Sequence, residues 1–424
     1  MSLNLAIIFA LVLIVALFAV AALVEAQGDR LLRARRLRHG TYTLALGVYC
    51  SSWTYYGAVG SAVRDGWVYL AIYLGPVILL LAAPRFLRSL ANAVAEEQAV
   101  TVSDFIAARF GHDVIVARLV TVIALLGTIP YIALQFRSIG NAFSLVSGRD
   151  LAGPAMVAAA VLLTLFSILF AARRFELAGR SEGLLFAIGL ESLVKISALL
   201  LVGGVAVSLI LSMPGEVLSR GGAVLGERFS PSPLSLDFAV TLLISVMAIV
   251  VLPRQFYMGL VEAQERDDLV RARFGLAAYL IAMALLVLPI ALAGTALFEE
   301  DQIADLFVLL VPSAAGQQAG LVVAMLGGLS AAAAMAILDS SAVATMVSKD
   351  LLFPAILRSD PRMAGGAIGR RMLAVRRLSI AVIMAFALAW ATLISGRESL
   401  ASIGLVAFAA MAQFTPHLIM AVNQ

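Results

Sequence analysis

Residues that build soluble enzyme sites and disulfide scaffolds are scarce in this sequence. Its single cysteine, Cys50, excludes an internal disulfide, and its three histidines lie too far apart to match the spacing of metal ligands. Charged residues make up only 13% of the chain, whereas roughly a quarter is usual in soluble domains. With 62% hydrophobic residues and a mean hydropathy of +1.01, the chain has too little polar surface to cover a water-soluble globule. We therefore predict an all-α polytopic membrane protein.

Sequence motifs of common enzyme sites are also missing. The chain has no glycine-rich phosphate loop, no HExxH and no GxSxG, so we expect neither enzymatic activity nor a cofactor within this segment. The net charge of +4 is explained by membrane topology rather than by nucleic-acid binding. What remains is a channel, a secondary transporter that moves a small solute across the lipid bilayer, or a membrane sensor built on one of these.

Apolar segments long enough to cross a bilayer recur along the whole chain. A helix needs about 20 apolar residues, because about 30 Å of hydrocarbon are crossed at 1.5 Å per residue. Eleven segments are predicted to span, and the first is too long for a signal peptide and lacks its basic start. The predicted spans are Leu3–Val24, Thr41–Val63, Trp67–Ala83, Val114–Val146, Pro154–Ala172, Gly183–Leu211, Leu236–Leu252, Phe274–Phe298, Gly320–Val347, Leu378–Ser395 and Leu400–Val422.

Basic residues are distributed unequally between the loops that join these spans. If the N-terminus lies outside, 23 of the 30 Lys and Arg residues, Arg254 among them, fall in cytoplasmic loops and five in outer loops. The asymmetry predicts a multi-pass protein of the inner membrane with its N-terminus outside and its C-terminus in the cytoplasm. Because the chain stops directly after a helix, we also expect further segments beyond Gln424.

The second predicted span is unusually polar. From Tyr49 to Gly60 it reads Tyr-Cys-Ser-Ser-Trp-Thr-Tyr-Tyr-Gly-Ala-Val-Gly, which brings hydroxyl groups, aromatic rings and glycines to mid-membrane. A helix broken here would free carbonyl groups for a cation, and the aromatic side chains would wall a small solute. The alternative is an interfacial aromatic belt with small-residue packing, which explains Ser51 to Tyr56 less well.

Polar and ionisable residues inside the other predicted spans are further candidates for function. Glu191 and Lys195 lie four residues apart and can pair on one helix face, either as a structural lock or as a coupling pair. Asp339 has no basic residue within a helical turn, so an unpaired carboxylate is expected there, suited to proton or cation coupling. A hydrogen-bonded structural carboxylate is the alternative. Gln135 follows Tyr131 in the fourth span and can bind a solute.

Three segments resemble the sodium:solute symporters, a family with the ten-helix inverted-repeat core of the LeuT type. The second span is similar to that family's first core helix. Thr101–Gly111 is similar to its Thr-x-x-(Asp/Glu)-Phe/Tyr…Arg-Phe-Gly loop, and Leu400–Phe408 with Gln413–Pro416 is similar to its eleventh helix. The resemblance implies a leading helix at 1–28, a first repeat of five helices at 41–212 and a second at 236–424, all in one transmembrane domain, 1–424.

The resemblance also implies positions for a solute and for a coupling ion, Na⁺ or H⁺. The candidate solute-binding residues are Ser51, Ser52, Trp53, Tyr56, Gly57, Tyr131, Gln135 and Ser245. The candidate ion-coupling residues are Gly47, Cys50, Ser330, Ala331, Ala334 and Asp339. The family's paired hydroxyl positions fall on Ala334 and Met335, which have no side-chain oxygen. Proton coupling therefore competes with sodium coupling, unless Ser330 or Ser340 supplies an oxygen through a shift in register.

A narrower resemblance is to the symporter-like N-terminal domain of CbrA-type hybrid sensor histidine kinases. It rests on Glu191–Lys195, Leu252–Phe256, Gly327–Ala332 and Gln413–Pro416. It implies that cytoplasmic kinase modules follow in the same full-length chain. The expected function is cation- or proton-coupled transport of a small organic solute, in the first place an amino acid. The alternative is a substrate-sensing input domain of a two-component histidine kinase.

Overall fold

Helices account for nearly all of the backbone that the computed structural model describes. The described residues are 3–31, 35–171, 182–230, 235–299, 303–359, 365–393 and 400–423, and they contain no strand. The helices are α1 (Leu3–Leu31), α2 (Arg35–Leu46), α3 (Ala58–Asp65), α4 (Val68–Ala82), α5 (Pro84–Glu96), α6 (Val102–Arg109), α7 (Val114–Ser147), α8 (Ala152–Phe166), α9 (Glu182–Ser212), α10 (Gly215–Phe229), α11 (Leu236–Val246), α12 (Ala248–Val251), α13 (Pro253–Phe256), α14 (Asp268–Leu297), α15 (Phe307–Ala314), α16 (Gln318–Met346), α17 (Phe353–Ser359), α18 (Gly365–Leu393), α19 (Leu400–Ala412) and α20 (Phe414–Asn423).

The helices long enough to cross a bilayer agree with the predicted spans. The described residues contain eight such helices, and two bent segments, α4 with α5 and α11 through α13, raise the number to ten. A further interrupted segment, Arg35–Asp65, corresponds to the second predicted span. The prediction of an all-α polytopic protein with about eleven spans is therefore confirmed.

The first helix of each predicted repeat is interrupted halfway. In the first repeat, α2 ends in a 3₁₀ turn at Gly47–Tyr49, and Cys50 is extended (φ −79°, ψ 102°). A π-helical turn at Trp53–Gly57 then leads into α3. In the second repeat, Leu252 is extended (ψ 128°) before Pro253 begins α13, and the helix bends by 44°. Proline causes this second break, because the residue before a proline avoids the helical region and proline has no amide hydrogen.

Three long helices, α7, α9 and α16, surround the first break. The central one, α16, approaches the broken helix closely through two adjacent glycines. A Cβ on Gly328 would lie 1.8 Å from the Tyr56 hydroxyl, and one on Gly327 would lie 2.5 Å from the Tyr55 hydroxyl. Tyr55 also donates a hydrogen bond to the carbonyl of Ala324 at 3.0 Å. These contacts fix α16 against the segment that follows the break.

The motif that begins at Thr101 forms α6 and joins it to the π-helical turn Val347–Leu352, which follows α16. Thr101 caps the helix, because its hydroxyl accepts the Asp104 amide at 3.1 Å. Asp104 then pairs with Lys349 at 2.6 Å, and the Ser103 hydroxyl donates to the Asp350 carboxylate at 2.7 Å. The segment that resembles the symporter loop therefore holds two helices together through an ion pair and a hydrogen bond.

The segment between α9 and α11 contains the helix α10. Its end is held by Trp67, whose indole nitrogen donates to the carbonyl of Phe229 at 2.8 Å. Gly66 has φ +59°, and a Cβ there would lie 2.0 Å from the carbonyl oxygen of Arg228. Only glycine fits this turn.

Candidate functional site

Polar residues at the first break converge on α7. The Ser51 hydroxyl lies 2.8 Å from that of Tyr131, and the Ser52 hydroxyl donates to Gln135 Oε1 at 2.7 Å. The amide of Ser52 donates to the same oxygen at 3.2 Å, and the amide of Trp53 donates to Ser51 Oγ at 3.1 Å. Side chains thus cap the amides that begin the second half of the broken helix. We refer to these five predicted solute-binding residues as the central cluster.

Aromatic rings pack around the central cluster. The ring centroid of Trp53 lies 4.8 Å from that of Phe408 in α19 and 6.5 Å from that of Tyr131. A Cβ on Gly404 would lie 2.6 Å from the indole ring, so glycine is needed beside it. The buried indole nitrogen of Trp53 has no hydrogen-bond partner among the described residues. Phe408 was not among the predicted site residues, because its helix was identified only by its resemblance.

The remaining predicted solute-binding residues have different surroundings. Gly57 supports the cluster, since a Cβ there would lie 2.9 Å from the Trp53 ring. Tyr56 faces α16 rather than α7. Ser245 packs against α4, where a Cβ on Gly75 would lie 2.8 Å from the Ser245 Cβ atom. No contact seen in the described part of the chain joins Tyr56 or Ser245 to the central cluster.

Lys195 brings its ammonium group to the first break. Its Nζ donates to the carbonyl oxygen of Cys50 at 2.7 Å, and both residues are fully buried. The other carbonyl predicted for a cation, that of Gly47, accepts the Cys50 amide at 3.0 Å. The Lys195 side chain therefore binds the carbonyl oxygen that the family resemblance assigns to a coupling ion.

Glu191 and Lys195 share a face of α9, but they make different contacts. Within the described residues, Lys195 bonds the Cys50 carbonyl, and the Glu191 Oε2 atom is buried without a hydrogen-bond partner. The backbone carbonyl of Glu191 accepts the Ser330 hydroxyl at 3.1 Å. The predicted spacing places both side chains on one face. The break supplies a competing acceptor that helical spacing alone does not reveal.

The positions predicted to give hydroxyl groups to sodium are apolar or otherwise engaged. Ala331, Ala334 and Met335 are buried in α16 and have no side-chain oxygen. The Ser330 hydroxyl donates to the backbone carbonyl of Glu191 in α9, and the Ser340 hydroxyl donates to the carbonyl of Ile337 in its own helix, each at 3.1 Å. With the Cys50 carbonyl bonded to an ammonium group, these residues do not fit a sodium ion of the kind that the resemblance implies.

Asp339 is paired with Arg254, so the expectation of an unpaired carboxylate is wrong. Arg254 Nη1 donates to both carboxylate oxygens of Asp339, at 3.1 and 3.0 Å, and the side chains are 2% and 1% exposed. Arg254 is the second residue after Leu252 and lies inside the protein rather than in the cytoplasmic loop to which the sequence assigned it. The partners are 85 residues apart in the chain, so a search within one helical turn misses the pair.

Arg254 also connects the second break to the central cluster. Its guanidinium carbon lies 4.7 Å from the centroid of the Tyr131 ring, whose hydroxyl group is bonded to Ser51. Within the described residues, Nε and Nη2 of Arg254 are buried without a hydrogen-bond partner, as are both amide atoms of Gln255. The two breaks therefore face each other across Tyr131. The motif Leu252–Phe256 contains Arg254, but from the sequence this residue was assigned to a cytoplasmic loop and not to the site.

A second set of contacts lies at the α3 end of the broken helix. Asp305, in a short turn before α15, pairs with Arg64 at 3.0 Å and accepts the amide of Leu400 at 3.0 Å. These bonds join the end of α3 to the start of α19. A Cβ on Gly60 would lie 1.7 Å from the Asp305 carboxylate, so a glycine is required for this approach.

Contacts at the opposite end, on α2, join that helix to the segment after the second break. The Tyr42 hydroxyl donates to the carbonyl of Gly259 at 2.6 Å, and Arg38 pairs with Glu265 at 3.0 Å. The residues of the central cluster are 0–2% exposed.

The structure is similar to that of a Na⁺-coupled sialic acid symporter in a substrate-bound, outward-open state. The TM-score is 0.68 with 16% sequence identity, over 91% of this chain and 81% of the symporter chain. No protein-family model and no curated protein matches the sequence. The chain has the fold of that symporter.

Proposed function

We propose that this chain is a secondary-transporter domain that moves a small organic solute, in the first place an amino acid, across the inner membrane with a cation or proton gradient. The observation that carries the proposal is the pair of breaks, at Cys50 and Leu252, that face each other across Tyr131. Secondary transporters bind their solutes at mid-membrane between the broken helices of two repeats. The fold shared with a symporter supports this function.

The chemistry of the central cluster suits a small polar solute. Ser51, Ser52, Tyr131 and Gln135 supply hydroxyl and amide groups, and Trp53 adds an aromatic wall. In this structure the hydroxyl and amide groups bond each other. A solute that enters between the breaks would exchange those bonds for its own, so that these hydroxyl and amide groups keep hydrogen-bond partners in a dry interior.

The residues at the first break favour a proton over a sodium ion as the coupling ion. A hard cation needs several oxygens in place of its hydration shell. Here Lys195 occupies the Cys50 carbonyl, and Ala334 and Met335 offer no oxygen. These observations favour uptake that follows the pH gradient more than the sodium gradient.

The orientation is part of the same proposal, with the N-terminus outside and the C-terminus in the cytoplasm. The excess of basic residues in the predicted cytoplasmic loops persists when Arg254 is removed from the count.

The test is uptake of a mixture of the twenty radiolabelled L-amino acids into proteoliposomes, with either a pH gradient or a sodium gradient imposed alone. We expect accumulation under the pH gradient, with empty liposomes as the control. Strong uptake under sodium at equal pH, abolished when sodium is removed, would show that the ion site is misassigned. Binding of an amino acid without uptake under either gradient would favour the sensor alternative.

A further inference from the structure

We infer that Arg254 binds a carboxylate group of the solute, so that the protein selects small carboxylic acids, amino acids included. The inference rests on the proposed function and names the chemical group that the site recognises. The pairing of Arg254 with Asp339 leaves part of the guanidinium group available for this contact.

Arg254 presents one complete donor edge that the described residues leave free. A guanidinium group has five N–H donors in a plane. Both bonds to Asp339 come from Nη1, whereas Nε and Nη2 are buried and have no hydrogen-bond partner. The Nε and Nη2 donors lie side by side along the same edge. That edge matches the two oxygens of a carboxylate, which it binds through two parallel hydrogen bonds.

Unbonded donors in this position indicate a ligand. Buried polar groups in proteins nearly always have hydrogen-bond partners, and charged ones are the most costly to leave without them. Arg254 is 2% exposed, and the next residue, Gln255, is fully buried with both amide atoms unbonded. Two adjacent residues directly after a helix break thus offer unused polar atoms.

The position of Arg254 places a bound carboxylate beside the central cluster. The guanidinium carbon is 4.7 Å from the Tyr131 ring centroid, and Tyr131 contacts Ser51 at the first break. The amides of Ser52 and Trp53 could otherwise bind an anion, but Gln135 and Ser51 already occupy them. Of the two breaks, the second therefore has the free hydrogen-bond donors for an anion, and Arg254 supplies them.

Asp339 determines how the carboxylate is recognised. Because it neutralises Arg254, recognition depends on the planar pair of donors more than on net positive charge. A bound carboxylate then adds one negative charge to the centre, and a cation that moves with the solute would balance it.

Matched acids and amides test the inference on the unmodified protein. Thermal stabilisation of the purified chain in detergent is measured with each of the twenty L-amino acids and its α-carboxamide, and with acetate and sialic acid. We expect at least one acid to stabilise the protein and, where it has a matched amide, the amide to bind about tenfold more weakly or worse. An amide that binds as tightly as its acid, or a complete lack of stabilisation by carboxylates, overturns the inference.

Arg254→Lys tests the residue itself, because lysine keeps the positive charge opposite Asp339 but lacks the two-donor edge. We expect the acid to bind about tenfold more weakly and any residual binding of the amide to be unchanged. Arg88→Lys, in an exposed ion pair with Asp267, is the matched control and should bind like the parent. Unchanged acid binding by folded Arg254→Lys overturns the assignment. If this variant does not fold, the acid and amide comparison still decides.

The outcomes separate this inference from the proposed function. Uptake of a solute that has no carboxylate would leave transport standing and overturn the role of Arg254. Carboxylate binding that depends on Arg254, without uptake under any gradient, would support the site and contradict transport.

Discussion

The ammonium nitrogen of Lys195 lies 2.7 Å from the carbonyl oxygen of Cys50, at the point where the first broken helix is interrupted. A carbonyl freed by a helix break in a dry interior must find a partner. Here the partner is a charged side chain from another helix, and such bonds are shorter and stronger than neutral ones. The break is therefore stabilised by α9, through a residue that the sequence pairs with Glu191 instead.

Charge balance around Lys195 predicts a compensating double substitution. Lys195→Met leaves the Glu191 carboxylate buried without a nearby positive charge on α9, which should destabilise the protein by about 3–5 kcal/mol. Glu191→Gln together with Lys195→Met removes both charges and should recover much of the folded yield. Monodisperse yield on size-exclusion chromatography and the thermal midpoint measure the effect. A double variant as damaged as Lys195→Met alone would contradict the charge-balance explanation.

The ion pair between Arg254 and Asp339 predicts a second compensating substitution. Asp339→Asn leaves the guanidinium group of Arg254 without its counter-charge, at a cost of about 3–5 kcal/mol. Arg254→Met combined with Asp339→Leu should restore the thermal midpoint most of the way, because both charges are gone and the volume is filled. If Asp339→Asn alone melts like the parent, the carboxylate does not stabilise the buried arginine.

The hydroxyl group of Ser52 should matter for solute binding because of its bond to Gln135. We expect Ser52→Ala to lower the affinity for the transported amino acid about fivefold or more, which corresponds to about 1 kcal/mol, with normal expression. Trp53→Ala should also lower it. Ser219→Ala is the control, because that exposed hydroxyl bonds only within α10. The affinities are compared by concentration-dependent uptake, into proteoliposomes, of the amino acid identified there. If both cluster variants bind within twofold of the parent, the central cluster is not the solute site.

The contact between Gly60 and Asp305 predicts that a substitution at Gly60 makes the centre more accessible from the α3 end of the broken helix. Gly60→Ala places a methyl group where the Asp305 carboxylate lies, so the bonds to Arg64 and Leu400 should be weakened. Cys50 is the only cysteine of the chain and is fully buried, so its alkylation rate reports on opening of the centre.

We expect Gly60→Ala to raise the rate at which a membrane-impermeant maleimide, added outside, modifies Cys50 by about tenfold. Gly204→Ala is the matched control, since a Cβ there meets nothing within 4 Å. Equal rates for the two variants would show that the contacts of Asp305 do not limit access to Cys50.

The sequence predicts the scaffold and the first break well. Apolar run lengths give the spans, and the density of hydroxyl groups and glycines from Tyr49 to Gly60 marks the interrupted helix. These features are local, and each follows from a few adjacent residues. The cap at Thr101 is local too, whereas the hydrogen bond from Ser103 to Asp350 joins residues far apart in the chain.

The charge arrangement in the centre was not predictable in the same way. An arginine after an apolar run reads as a cytoplasmic loop residue, and only the bend at Leu252 turns Arg254 inward, towards an acid 85 residues away. Similarly, the spacing of Glu191 and Lys195 gives their shared face but not their bonds. The carbonyl of Cys50 accepts the hydrogen bond of Lys195 because the helix that contains Cys50 is interrupted beside α9.

The fit of Tyr55 and Tyr56 against Gly327 and Gly328 has a mechanical consequence. The two hydroxyl groups occupy the space in which any larger residue would have its Cβ, and Tyr55 is bonded to the backbone of α16. Sliding or rolling of one helix past the other would drive these rings into the α16 backbone. We therefore expect the segment Trp53–Gly57 and the middle of α16 to move together in any rearrangement about the extended residue Cys50.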